Sequence, residues 1–443
     1  MRNDIISELP ESLITQILLL LPTKDSIKTS VLSTRWRNLW LKVPGLDLNS
    51  DDFRFPYRDI IKNFTERFLE FMERFREFNH GSNLQKFDIT YFECNGYRDR
   101  LMELISTVVD RGIQHLYVYM HTCKKDDFIR QNIYKSKTLV SLKLFNVGLK
   151  NPEFVVSLPC LKIMLLCNVC YSEDGPLVVE KLISGCPVLE DLQLSRPFDI
   201  SSQKVVMFLR VSSQTLESLR LYFRRDSGTD FSVEIDAPRL NYMSVRESQY
   251  ESILVKNLSS LFRIDIHTKF NRFRLEDLQM NDIFYGFLTG ISRVRRMIIC
   301  LRTLERLYPY SKFGPIPEFL NLYHLKAQVR SSSLQLLQAF LESCPNLKNL
   351  ILEYSVTVDL EQTDFTNVPR CLISTLEYVE ITKPMTRDET GVKLVNYFLE
   401  NSTVLKKLTI SFTGSSFREL ELESYKMLLT STKLSPTCQV IIV

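Results

Sequence analysis

The feature that most constrains this chain is a recurring triplet: an apolar residue, two spacers, a second apolar residue, one spacer and a third. It occurs thirteen times. The clearest copies are Leu139/Leu142/Leu144, Leu161/Met164/Leu166, Leu189/Leu192/Leu194, Leu216/Leu219/Leu221, Leu347/Leu350/Leu352 and Leu405/Leu408/Ile410. Weaker ones start at Leu84, Ile113, Leu240, Leu261, Val294, Leu322 and Leu376. From Leu84 to Leu405 the triplets advance by about 27 residues a step, inside the range of strand-plus-helix repeats. Steps run from 21 to 33, so the array is irregular.

The last two apolar residues of a triplet lie on one face of a strand, because side chains alternate. The stretches before the triplets have helical spacing. Val178/Leu182/Ile183, Leu336/Phe340/Leu341 and Leu394/Phe398/Leu399 precede Leu189, Leu347 and Leu405 at equal offsets, followed by Cys186, Cys344 and Ser402. Each unit therefore reads as helix, turn, strand, and none can bury its apolar side without neighbours. The expectation is an α/β fold: a solenoid of helix–strand units with a curved parallel sheet. A doubly wound fold would need longer apolar strands and a glycine-rich turn, and the chain has only 13 glycines.

Ahead of the array, Phe64, Phe68, Phe71, Phe75 and Phe78 fall at steps of 4, 3, 4 and 3, a stripe along one helix face read as the first layer over the repeats. Leu46 to Tyr57 reads as connector. The first 46 residues are different again. Pro10 suits a first helical position, Leu13, Ile14, Ile17, Leu18 and Leu21 recur at helical spacing, and Pro22 stops the run. Leu19 and Leu20 fill faces that an ordinary surface helix leaves polar. A second helix from about Thr23 would point Ile27, Val31 and Leu32 inward. A third, capped by Ser33, would carry Trp36, Leu39, Trp40 and Val43. Both tryptophans of the chain lie there. A unit of this size seldom closes a core alone, so the excess apolar surface implies a protein partner, with a terminal cap on the repeats as the plainer alternative.

Composition excludes more than it selects. Apolar content of 44% and charged content of 24% are those of a folded chain, and a net charge of +4 is too even for a nucleic-acid binder. No stretch has the length and apolarity of a membrane span, and the acidic start is no secretory signal. Ten cysteines without regular spacing suit a reducing compartment. Cys167 and Cys170 form a lone pair, read as buried repeat cysteines. The five histidines show no metal or catalytic spacing, and there is no phosphate-cradling glycine motif. The clusters Arg293/Arg295/Arg296 and Arg220/Arg224/Arg225 read as solvated faces, with an anionic-ligand site as the alternative. No catalytic residue, metal site or cofactor is expected.

Leu9-Pro10, Ile17 to Pro22 and Val31-Leu32-Ser33, with Arg35-Trp36-Arg37 and Leu39-Trp40, resemble the F-box. The repeats resemble those of plant F-box proteins with irregular leucine-rich repeats. Asn146-Val147 and Asn168-Val169 fit that style, one place off the general asparagine position of the repeat. Val368-Pro369, Cys371-Leu372, Leu376-Glu377, Leu399-Glu400-Asn401, Leu405 to Ile410 and Ser435 to Cys438 resemble the FBD extension, with Arg370 where an acid is usual. The implied divisions are 1–46 F-box, 47–80 linking helix and cap, 81–360 repeats and 361–443 FBD.

The resemblance implies a non-catalytic specificity subunit of an SCF-type cullin–RING ubiquitin ligase, inside the cell in nucleus or cytoplasm. Its partners would be a Skp-family adaptor, a cullin and a target protein marked for degradation. Adaptor contact would fall on Leu9, Pro10, Leu13, Ile17, Leu18, Leu21, Pro22, Val31, Leu32, Trp36, Leu39 and Trp40. For the target, strand positions facing away from the buried leucines select His115, Tyr117, Tyr119, Phe145, Arg220, Tyr222, Tyr242 and Arg246, an aromatic and basic set. The alternative is a leucine-rich-repeat scaffold, or a receptor for a small anion or hormone, acting without ubiquitin.

Overall fold

A computed structural model describes residues 6, 8–53, 84–92, 98–121, 128–172, 175–195, 207–222, 231–246, 250–267, 278–311, 315–330, 334–355, 367–384, 389–413 and 432–443. The phenylalanine stripe at 64–78 lies outside the described residues. The chain divides into two compact units, residues 1–203 with 212–216, and residues 204–211 with 217–443.

The first unit opens with α1 (Glu11–Leu19) and α2 (Thr23–Lys28). Pro10 and Pro22 precede them, and their carbonyls accept the first helical N–H groups, from Ile14 at 3.1 Å and Ser26 at 3.0 Å. The expected third helix is absent. Residues 34–38 form turns and Leu39–Lys42 a single 3-10 turn, with Trp36 N–H donating to the Ser33 carbonyl and Leu39 N–H to that of Trp36. Asn38, at φ −120° and ψ 8°, lies outside helical geometry, and the ladder cannot pass through it.

A parallel sheet follows in the order β1 (Gly45–Asn49), β2 (Lys86–Tyr91), β3 (His115–Met120), β4 (Ser141–Phe145), β6 (Ile163–Cys167) and β8 (Asp191–Ser195). Two-residue strands β5 (Gly148–Leu149) and β7 (Cys170–Tyr171) pair beside it, and α3 (Arg98–Asp110) and α4 (Gly175–Ser184) return the chain. The stretch read as connector from Leu46 is therefore strand β1, with Leu46 and Leu48 buried. Gly45 opens it where a Cβ would run into the Leu19 side chain, so the helical head sits directly on the first strand. Asp47 N–H donates to Thr23 Oγ1 at 2.8 Å across the same seam.

The second unit carries β9 (Met207–Ser212), β10 (Ser218–Tyr222), β11 (Phe231–Asp236), β12 (Tyr242–Arg246), β13 (Tyr250–Asn257) and β14 (Arg263–His267). Then come α5 (Leu278–Gly290), β15 (Arg296–Ile299), α6 (Leu301–Ser311), β16 (His324–Arg330), α7 (Leu334–Glu342), β17 (Asn349–Ser355) and α8 (Arg370–Ser374). It closes with β18 (Tyr378–Pro384), α9 (Glu389–Asn401), β19 (Lys407–Thr413) and β20 (Gln439–Ile442). Strands β10, β12 and β14 to β20 form its parallel ladder.

All thirteen triplets end in a strand of these ladders, and every apolar position of every triplet is buried. The helix-in-every-unit expectation fails in the middle. Strands β13, β11 and β9 form a second sheet where helices were expected. The repeats that hold β11 and β13 are short, 24 residues from Leu216 to Leu240 and 21 from Leu240 to Leu261. An extended segment covers a given distance in about half the residues a helix needs, at roughly 3.3 against 1.5 Å per residue. Alternating Leu209/Val211 and Val233/Ile235, all buried, set that extended period.

Polar rungs tie successive repeats together. Asn146 and Asn168 both adopt the left-handed conformation, at φ 55° and 52°. Asn146 Nδ2 donates to the Met120 carbonyl at 2.5 Å, and Asn168 Nδ2 donates to Asn146 Oδ1. The off-register asparagines thus make a short ladder of their own. A hydroxyl just before the triplet does similar work elsewhere. Thr138 donates to the Ile113 carbonyl at 2.9 Å, Thr215 to that of Leu189 at 2.8 Å and Thr375 to that of Leu347 at 2.9 Å; ahead of β20, Ser435 donates to that of Leu405 at 2.7 Å.

Candidate interaction sites

The head closes a small core of its own from Ile14, Leu18, Trp36, Leu39 and Val43, with Leu9 and Leu19 packed against it. Arg35 Nη2 donates to the Leu9 carbonyl, and Lys42 pairs with Glu11 at 2.6 Å, holding that carboxyl below its usual range. Leu18, Trp36 and Leu39 are therefore interior, and Trp36, at 4% exposed, is not a partner-facing surface as expected. The periodicity identified a helical stripe correctly for α1 but could not say which stripe the head keeps for itself. Trp40 is half-buried, and Pro10 and Pro22 are exposed.

What remains outside is a set of large apolar side chains. Leu13 is 44% exposed, Ile17 42% and Leu21 37%. Val31 and Leu32, read as inward-facing, are 87% and 66% exposed, because α2 gives way to a 3-10 turn at Thr29–Val31 that turns them out. Leu20, at 84%, was not among the expected contacts, although an apolar residue on the polar face was its signal.

The expected target-facing residues fall into two groups, one in each unit. In the first, Tyr117 and Tyr119 on β3 face Phe145 on β4, with ring centroids 5.2 and 5.9 Å apart. Phe92 extends the group at 5.9 Å from Tyr119, and His115 is exposed at the start of β3. Burial, and then the Asp88 charge, push the Tyr117 hydroxyl pKa up, so it stays a neutral donor and acceptor.

In the second, Arg220 stacks over Tyr242 at 5.2 Å, Arg263 over the same ring at 5.3 Å, and Arg246 over Tyr222 at 5.8 Å. Buried Asp265 organises the group. It accepts from Tyr242 Oη at 2.8 Å and from Arg263 Nε at 3.0 Å, and lies 3.8 Å from Arg246. Phe92, Arg263 and Asp265 were missed; alternation along β14 marks the last two as outward positions.

The cysteine pair does not behave as expected. Cys167 and Cys170 are both half-buried; Cys167 is a free thiol, whereas Cys170 is disulfide-bonded. The buried repeat cysteines are others: burial pushes Cys186 and Cys371 up to about 12, which leaves them inert as nucleophiles. Among the described residues no group of three or more His, Cys, Asp or Glu is placed to hold a metal ion, and no helix is long and apolar enough to cross a membrane.

Comparison with known proteins agrees with this architecture. The F-box domain model matches residues 6–47, the model for the LRR repeats of FBD-associated F-box protein At5g56370 matches residues 101–266, and the FBD model matches residues 363–410. The F-box/FBD/LRR-repeat protein At5g44980 of Arabidopsis thaliana is 68% identical over 442 residues, covering 100% of this chain and 99% of the relative. The F-box/FBD/LRR-repeat protein At2g26030 of the same plant is 52% identical over 453 residues, covering 100% of both. An F-box head seated on the first strand, stacked triplet strands behind it and full-length relatives of the same make-up place the chain in the F-box/FBD/LRR-repeat family.

Proposed function

We propose that this chain is the target-recognition subunit of an SCF-type cullin–RING ubiquitin ligase. The observation that carries the reading is the head's surface. Leu13, Ile17, Leu20, Leu21, Val31 and Leu32 stay exposed beside a core that is already closed. Apolar surface left out in this way marks a protein contact. A Skp-family adaptor would cover it and connect the chain to a cullin, in the nucleus or cytoplasm. Leu9 and the interior Leu18, Trp36 and Leu39 would act by setting the shape of that surface. Pro10, Pro22 and Trp40 would lie at its edges.

The repeats, taken as 81–360 with the FBD region 361–443 continuing them, would hold the target. The aromatic group of the first unit and the arginine–tyrosine group of the second are the surfaces we assign to it, since aromatics and arginine dominate recognition patches. Such a subunit needs no nucleophile or cofactor of its own. It raises the effective concentration of a target near the charged conjugating enzyme. Recovery of adaptor and cullin on the tagged full chain tests this: wild type should retain both, and Leu13→Asp/Ile17→Asp should lose both. Equal recovery from the two would refute the assignment.

A further inference from the structure

The arginine–tyrosine group belongs to a larger charged face. The ladder strands of the second unit pair in register, so side chains opposite the buried leucines line up in rows. One row runs Tyr242, Arg263, Arg296 and His324; the next runs Arg220, Ser244, Asp265, Ile298 and Lys326. Paired or not, the charges on this face of the ladder from β10 to β17 are Arg220, Arg246, Arg263, Arg296, Lys326 and Arg330 against two carboxylates, Asp265 and Glu353. Arg263 meets Asp265 at 3.0 Å, and Lys326 meets Glu353 at 2.6 Å. Burial, and then Arg246 and Arg296 respectively, hold His267 and His324 below the usual histidine range, so neither adds charge near pH 7. In the first unit the corresponding positions carry Lys86 and Lys143 against Asp47, Asp88 and Asp191. The positive excess is specific to the second unit.

Like charges gathered on one face repel one another, and an anionic partner relieves that cost. The guanidinium groups are also held in place. Arg220 and Arg263 stack over Tyr242, and Arg296 stacks over Tyr323 at 5.7 Å while its Nε donates to Tyr323 Oη at 2.9 Å. Side chains ordered beforehand lose less entropy on binding. The cations spread over five neighbouring strands, β10, β12, β14, β15 and β16, or about 19 Å at the usual strand spacing. That is too far for one small anion and matches about six residues of extended chain. A single-stranded nucleic acid would need open aromatic faces for its bases. Tyr242 instead takes one guanidinium from β10 and another from β14, so its ring is occupied from both sides. A polypeptide rich in carboxylates fits both the length and the sign of the face.

We propose that this face receives an extended acidic segment of the target, laid across β10 to β16 with its carboxylates against the arginine rows. The inference rests on the ligase reading in calling the partner a target, and its test does not. Fluorescence anisotropy of the full chain with a dye-tagged peptide of alternating glutamate and serine, its lysine–serine counterpart and oligouridylate provides that test. The acidic peptide should bind saturably and lose affinity with added salt. The lysine peptide should not bind, and oligouridylate should bind about tenfold more weakly or worse. Arg246→Glu/Arg296→Glu should weaken acidic-peptide binding about tenfold or more. Arg220→Gln/Arg246→Gln, which removes charge without reversing it, should weaken it by a smaller factor. Lys143→Glu, in the first unit, should leave it intact. Absence of saturable binding, equal binding of the lysine peptide or of oligouridylate, or unaltered binding in both arginine variants would overturn the inference. Adaptor recovery from the same full-chain samples reports on the ligase reading separately, so either can fail without the other.

Discussion

The head and the repeats handle apolar residues in opposite ways. Every triplet position from Leu84 to Ile410 is buried, whereas the head leaves Leu20 at 84% and Val31 at 87% exposed within a few residues of a closed core. Both regions look equally greasy in sequence. The repeats solve burial by stacking, since each unit is covered by the next. Among the described residues the head packs on strand β1, and several of its large apolar side chains stay uncovered. Surplus in a repeat is architecture; surplus in a head of this size is an invitation to a partner.

That contrast can be broken at several points. The largest effect should come from the head's core: Trp36→Ala removes an indole that is 4% exposed and should cost about 3–5 kcal/mol. Leu350→Ala in β17 should cost about 2–5 kcal/mol. Hydrogen exchange should localise the first loss to residues 8–53 and the second to the later repeats. If Trp36→Ala leaves exchange in the head unchanged, the closed core is wrong.

A smaller effect is expected at the asparagine rungs. Asn168→Ala removes the donor to Asn146 and leaves alanine in a left-handed conformation, at a cost of about 1–3 kcal/mol in denaturant unfolding. An unchanged midpoint would mean the two rungs are incidental.

The smallest should be a pH effect confined to the second unit. His267 and His324 both have pKa values held below the ordinary histidine value, by burial first and then by Arg246 and Arg296 respectively. The native state therefore binds fewer protons than the unfolded chain. Their contribution is fully present above the unfolded pKa of about 6.5 and is lost as pH falls from there through the lower folded values. The thermal midpoint should drop on acidification from pH 7.5 to 5.5. His267→Gln/His324→Gln should flatten part of that slope, and an identical slope in the variant would contradict the cause.

How much of this was legible varied with the physics involved. The triplet strands were readable because burial on one face of a short strand imposes a strict spacing, and stacking repeats it. Strand β1 was not, because Leu46 and Leu48 look like linker residues until β2 covers them. The second sheet was hidden by a bias toward helices, although the short steps after Leu216 and Leu240 favoured extended chain. The outward turn of Val31 and Leu32 and the inward turn of Trp36 follow from 3-10 and turn geometry after Lys28, to which a 3.6-residue period is blind. The two groups assigned to the target under the proposed function were half readable. Alternation picked Tyr117, Phe145 and Tyr242, but only the fold could show that Asp265 draws Arg263 and Tyr242 together.

The central claim is that the head's outward apolar residues are covered by another polypeptide. Titrating purified Skp-family adaptor into the full chain measures this directly, with Val31→Asp/Leu32→Asp as the probe. These two side chains contribute nothing to the head's own core, so the variant should keep its thermal midpoint while adaptor affinity falls about 100-fold or more. Equal affinity for wild type and variant, or an unfolded head in the variant, would contradict the account.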